Sequence, residues 1–245
     1  MVIVASFAAL TQAAIAQTAD EIIEKHLAAS GGRAALQKVK SRLVTGTLAL
    51  ATPVGNMAGT VELLNEAPNK SRNLMKVDLS AAGIGLVTID QRFNGETAYA
   101  MDSLQGNREV TGNALDNMKA SSFPTPFLNY KERGATVELG GKEKVGDRDA
   151  YVLTYKPKTG STVRMCLDAQ TYLPLRSVVK VNVPQLGQDV EQTTDFSDYR
   201  DVDGVKVPFQ IKNSSPLQTY TITATKVEQN IQVDESLFSK PADGK

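Results

Sequence analysis

Between Val205 and Ile211 the chain reads Val-Lys-Val-Pro-Phe-Gln-Ile, apolar at every odd position and polar or proline at every even one. This is the period of a strand with one buried face. Asp203-Gly204 in front of it is the dipeptide of a type I′ hairpin, which needs positive φ at both central residues. The upstream arm is then Thr193 to Val202. After the Ser214-Ser215-Pro216 break, Tyr220, Ile222 and Ala224 alternate with threonines in a third strand. A chain built on this stretch is an antiparallel meander, and it carries no catalytic signature.

The same period recurs upstream. Extended segments are predicted at Ser41 to Leu50, Asn56 to Asn65, Asn69 to Leu79, Leu86 to Phe93 and Glu96 to Met101, the last two joined by a two-residue turn at Asn94-Gly95. They resume at Thr136 to Val145, Ala150 to Lys156, Ser161 to Leu167 and Leu173 to Val183, where Leu175, Val179, Val181 and Val183 are expected on one face. About eleven strands result. Their spacing of roughly ten residues excludes a doubly wound α/β fold, which needs helical crossovers.

Helices are few. Thr18-Ala19-Asp20-Glu21 has capping-box spacing and predicts a helix from about Ala19, ended by Ser30-Gly31-Gly32, with a second short one over Arg33 to Val39. His26 reads as a surface residue of the first helix, because no motif supplies it with a nucleophile or carboxylate. Residues Gly112 to Ala120 can form another helix inside an insertion, Asp102 to Glu132, whose Pro124-Thr125-Pro126 forces an extended connection. That insertion reads as a cover over the sheet.

Composition removes several function classes. Lys plus Arg balance Asp plus Glu at 27 each, with no basic run among aromatics, so no nucleic-acid partner is indicated. One cysteine, Cys166, and one histidine cannot assemble a Cys/His metal set, and Asp195, Asp198, Asp201 and Asp203 lack the spacing of a calcium loop. Neither a metal nor a cofactor is expected. Residues 1–16 read as a signal peptide, with Ala14-Ile15-Ala16 fitting cleavage before Gln17. The expected product is a periplasmic protein, residues 17–245, in one domain, without a lipid anchor because no cysteine follows the apolar stretch. The basic start of such a peptide is missing, so the natural start is expected a few residues upstream or cut off.

Two or three short helices cannot bury one face of so wide a sheet. Closure into a curved half-barrel would enclose apolar space; packing of the sheet on itself as a sandwich is the alternative. For the half-barrel, the expected lining is Leu115, Met118, Phe123 and Phe127 from the cover, and Val207, Phe209 and Ile211 from the hairpin strand. Met57, Val61 and Leu63 join from the second segment, Val179 and Val181 from the strand before the hairpin, and Tyr220 as a polar handle.

The segments TADEIIEKHLAASGGRAALQKVKSRLVTGTL, FNGETAY, GDRDAYVLTY, VRMCLDAQTYLPL and FSDYRDVDGVKVPFQI together resemble the periplasmic outer-membrane lipoprotein-sorting proteins, the LolA/LolB-like group, over nearly all of residues 17–245. The resemblance implies an eleven-stranded, strongly curved half-barrel closed by helices, with an apolar cavity that in the carriers receives lipoprotein acyl chains. The expectation is a monomeric carrier of a lipid or acylated ligand, with a periplasmic or outer-membrane protein as a further partner. The alternatives are a sensor or adaptor that binds another protein, and a small-molecule enzyme using the same cavity.

Overall fold

The computed structural model describes residues 17–52, 55–183, 187–216 and 218–241. The expected leader, residues 1–16, lies outside them. No helix among the described residues is long and apolar enough to cross a membrane.

Two helices come first, α1 (Ala19–Ala29) and α2 (Arg33–Lys38). Six strands follow: β1 (Ser41–Thr52), β2 (Gly55–Glu66), β3 (Lys70–Asp78), β4 (Leu86–Phe93), β5 (Ala98–Asp102) and β6 (Arg108–Val110). After α3 (Gly112–Ala120) come β7 (Thr136–Val145), β8 (Arg148–Lys156), β9 (Val163–Asp168), β10 (Pro174–Val183), β11 (Gln188–Val202), β12 (Val205–Ser214) and β13 (Thr219–Gln229). All thirteen form one antiparallel sheet in the order β6-β5-β4-β3-β2-β1-β13-β12-β11-β10-β9-β8-β7. It consists of two meanders, β1–β6 and β7–β13, sealed where β1 pairs with β13. Edge strands β6 and β7 stay unpaired with each other, so the sheet is open, and the segment that joins them, residues 111–135, must pass from one edge to the other.

The sheet is strongly curved. Arg42 on β1 and Met165 on β9 line one cavity of about 190 Å³, although their strands are five steps apart in the sheet order. At roughly 4.8 Å per step a flat sheet would hold them about 24 Å apart. The inner face therefore wraps α1, α2 and the cover. Ile22, Ile23 and Leu27 of α1, Leu36, Phe127 and Leu153 are at most 2 % exposed and share one core with Val205, Val207 and Phe209. A second inner cluster joins Leu48, Val61, Val77 and Ile222 farther along β1–β3 and β13.

Local chemistry sets the ends of these elements. Thr18 Oγ1 accepts the Glu21 N–H and the Glu21 carboxylate accepts the Thr18 N–H, each at 3.2 Å, so the capping box is formed. Gly31, with φ +122°, closes α1 against the hairpin turn: a Cβ there would lie 2.2 Å from the Gly204 carbonyl oxygen. Only glycine permits that approach, and the neighbouring Lys206 N–H donates to the Ser30 carbonyl at 3.0 Å. Asp203 and Gly204 have φ of 51° and 80°, as a type I′ turn requires.

Four expectations are corrected. The sequence predicts about eleven strands, whereas the described residues form thirteen, among them the three-residue β6 inside the expected insertion. Asn94-Gly95 belongs to a four-residue loop, since Phe93 pairs with Ala98 and the Asn94 side-chain oxygen accepts the N–H groups of Glu96 and Thr97. Leu175 does not share a face with Val179 and Val181: a register shift between Pro174 and Arg176 turns it to the outer face, against Ala150, Val152 and Cys166. His26 is not a surface residue. It is 4 % exposed, donates from Nδ1 to the Tyr172 carbonyl at 3.0 Å and meets the Phe127 ring edge-on.

Candidate functional site

The cover crosses the inner face and is tied on both sides of it. The Phe123 N–H donates to the Pro68 carbonyl in the β2–β3 turn at 2.8 Å. On the other side the Asn117 side-chain oxygen accepts the Ser161 N–H at 2.6 Å, and Asn113 reaches the Ser161 hydroxyl at 3.2 Å. Between these ties Arg133 donates to the Ala120 carbonyl at 3.0 Å and to the Tyr155 hydroxyl at 2.8 Å. No residue of α3 is itself buried.

Beneath the cover lie two adjoining chambers. The larger, about 420 Å³, is walled by Val163, Met165, Val179 and Val181 and roofed by Ala120 and Pro126. These residues share a face because Val179 pairs with Val163 and Ser177 with Met165 across β9 and β10. The smaller, about 190 Å³, begins at the shared residues Met165 and Pro126 and ends against α1 and β1, at His26, Leu36 and Arg42. A third hollow of about 430 Å³ opens on the far side of Ala120 and Tyr155, beside Lys119, Arg133 and Lys158.

Uncharged polar residues, Asn117, Ser121, Ser122, Ser161, Ser177 and Gln192, share the lining of the larger chamber with its aliphatic wall, and the titratable groups gather at the smaller one. His26 has its Nδ1 hydrogen committed to Tyr172, and burial holds its pKa below the usual 6.5 despite that bond. The Tyr199 hydroxyl donates to the Pro174 carbonyl at 2.8 Å, and burial drives its pKa upward. Lys206 lies 3.6 Å from Asp201. Arg42 differs: its Nε is buried without a hydrogen-bond partner, its guanidinium carbon stands 5.2 Å over the Phe123 ring, and desolvation holds its pKa down to about 10. Among the described residues no group of three or more His, Cys, Asp or Glu side chains is placed to hold a metal ion. The aliphatic wall of Val163, Met165, Val179 and Val181 gives the larger chamber a surface that an apolar group can pack against.

The residues expected from the sequence to line the cavity are placed as follows. Val179 and Val181 wall the larger chamber, and Phe127, 1 % exposed, lies between the smaller chamber and the core. Phe123 packs against the core and under Arg42. Val207 and Phe209 are packed in the core below α1, 3 % and 8 % exposed. Met57, Val61, Leu63, Ile211 and Tyr220 meet one another in the second cluster instead of bordering the chambers. Leu115 and Met118 are half-buried on α3 and touch neither chamber. The residues that sequence reasoning missed are Met165, Val163, Pro126 and Arg42. Val163 and Met165 sit at alternating positions in a predicted strand, but no pattern in the sequence ranks that strand above the others.

No family model and no curated protein matches this chain. Solved structures do. A LolA superfamily protein from Nitrosomonas europaea superposes with a TM-score of 0.56 at 16 % identity, over 92 % of this chain and 99 % of that one. A putative outer membrane lipoprotein-sorting protein domain from Vibrio parahaemolyticus gives 0.54 at 14 % identity, over 89 % and 94 %. A DUF1329 family protein from Desulfovibrio piger gives 0.55 at 13 % identity, over 90 % and 96 %. The fold is LolA-like.

Proposed function

We propose that this LolA-like half-barrel is a binding and carrier protein for a lipid or acylated ligand, whose apolar chain occupies the space between the inner face of the sheet and the cover. The observation that carries this reading is the larger chamber, walled by Val163, Met165, Val179 and Val181 beneath a cover whose Phe127, Leu128 and Tyr130 are anchored in the core while its helix α3 is held by polar ties. A chamber of that size is suited to one ligand of moderate length, and α3, with no buried residue of its own, is the part of the cover suited to opening. The likeness to a lipoprotein-sorting domain supports the same reading at the level of fold. Passage of lipids or lipoproteins toward the outer membrane is the trafficking role that fits it.

Two experiments test this. Native mass spectrometry of the gently purified protein is expected to show a co-purified lipid. Titration with an apolar fluorescent probe is expected to show saturable binding that Val181→Asp abolishes, since an unpaired charge in the chamber wall costs several kcal/mol. A protein that is empty and also fails to take up the probe would overturn the reading. We further propose cleavage before Gln17 and a soluble periplasmic product, for which the intact mass after expression from the full gene is the check.

A further inference from the structure

We propose that the guanidinium of Arg42 receives the acidic head of the ligand, so that the protein selects single-chain amphiphiles bearing a carboxylate or phosphate over uncharged ones of equal length. This rests on the reading that the chambers hold an apolar chain.

Arg42 carries a charge, and its buried Nε has no hydrogen-bond partner. It lies on the inner-facing register of β1 with Val44 and Leu48 and borders the smaller chamber. Among the described residues, the other partly buried arginines all have hydrogen-bond partners: Arg72 and Arg92 pair with Asp90, Arg164 with Glu143 and Arg176 with Asp195, and Arg133 donates to the Ala120 carbonyl and the Tyr155 hydroxyl. The Arg42 guanidinium stands over the Phe123 ring, whose face attracts a cation but accepts none of the in-plane hydrogen bonds of the fork. An uncompensated buried charge is costly, and the guanidinium remains protonated at neutral pH, so the chamber is poised to receive an anion. The other cationic groups of this chamber are committed, His26 to Tyr172 and Lys206 toward Asp201. The neighbouring Gln229 Oε1, cross-strand from Arg42, is also buried without a donor. A water between the two would satisfy both atoms yet leave the charge uncompensated.

Dimensions agree. The chamber of about 190 Å³ has room for roughly six waters' worth of headgroup at about 30 Å³ each. Met165 and Pro126 border both this chamber and the larger one, so a ligand whose head sits here has its chain directed toward the Val163–Val179 wall. A carboxylate or phosphate seated on the fork gains charge-assisted, bidentate hydrogen bonds while its chain runs along Val163 and Val179.

Oleate, oleoyl lysophosphatidate and oleyl alcohol, each competing with one apolar fluorescent probe, separate the possibilities. The wild-type protein is expected to bind at least one of the acidic ligands about ten- to a hundredfold more tightly than the alcohol. Preference for oleate identifies the carboxylate source, preference for lysophosphatidate the phosphate source. Arg42→Met, close in length and free of charge, is expected to fold and to bind all three alike, while Arg42→Lys keeps part of the preference. The wild-type comparison does not depend on any variant folding. Equal binding of all three by the wild type would overturn the inference and leave the cavity reading standing. A preference that survives Arg42→Met would also overturn it, locating the head instead at the exposed Lys119 and Lys158. Failure of every ligand, the alcohol and probe included, would remove the cavity reading itself and this inference with it.

Discussion

The Asn117 side-chain oxygen accepts the Ser161 backbone N–H at 2.6 Å, and this bond holds the middle of α3 to the β8–β9 loop. Gly160 beside it has φ +88°, and a Cβ there would come within 2.8 Å of the same oxygen. Because α3 has no buried residue, such polar ties are expected to set how readily this helix opens. Asn117→Ala should therefore cost about 1 kcal/mol locally. Amide exchange across Gly112–Ala120 is expected to rise about fivefold, with a matching increase in probe dissociation rate and little change in the urea midpoint.

Val181 and Phe209 should respond in opposite ways. Val181 borders the larger chamber, so Val181→Asp should end probe binding while the chain stays folded. Phe209 is 8 % exposed in the core and lies under Arg200 at 4.3 Å. Phe209→Ala should cost about 3–5 kcal/mol and weaken binding only as far as it unfolds the protein. Denaturant titration and probe titration on both variants check the contrast.

The two cover phenylalanines are similarly unequal. Phe127 is 1 % exposed, with the rings of His26 and Tyr155 meeting it edge-on at 5.3 and 6.1 Å. Phe127→Ala should lose about 3–5 kcal/mol, as a core residue does. Phe123 is partly exposed beneath the Arg42 guanidinium, so Phe123→Ala should lose less than half as much. Equal losses in chemical denaturation would contradict this.

His26 gives the fold a pH dependence of known sign. Burial lowers its pKa in the native protein, against 6.5 for the free side chain, while the bond to Tyr172 opposes that shift. Between the lowered pKa and 6.5 the unfolded chain binds a proton that the folded chain refuses, so stability falls as pH falls through that window. The slope approaches about 1.4 kcal/mol per pH unit. His26→Asn, which keeps a donor for the Tyr172 carbonyl, should flatten it. The carboxylates held low by partners, Asp168 and Asp90 among them, act in a separate acid range, below their ordinary 3.8.

Much of the fold was legible because its signals are local. Asp203-Gly204, the Thr18–Glu21 box and the helix over Gly112–Ala120 each depend on residues within a few positions. Strand alternation is equally local, and it marks Val61 and Val179 as facing the same side of the sheet. What it cannot tell is that the curvature packs Val61 among Leu48, Val77 and Ile222 while leaving Val179 beside open space. Arg42 was missed for a related reason: in sequence it is one charged residue at a strand start, and its burial comes from Phe123, eighty-one positions away. Leu175 was misplaced because a bulge inverts facing without altering the alternation on either side of it. His26 sits on α1 opposite a turn, 168–172, whose approach no helix pattern encodes.

The seam between β1 and β13 has a kinetic consequence. Every other strand pair in the sheet joins neighbours in sequence, whereas Arg42 meets Gln229. Closing that loop instead of a ten-residue hairpin adds about four doublings of length, roughly 2.4 kcal/mol of entropy. Either meander is able to zip from its own turns before the other, so the seam is the slow step, on the millisecond-to-second scale of non-local β topologies. Arg42 lies on one side of the seam and Met165 on the other, and the smaller chamber exists only once both are in place. A chain caught before that step has two ribbons and no chamber, so any ligand held there would slow unfolding without hastening assembly.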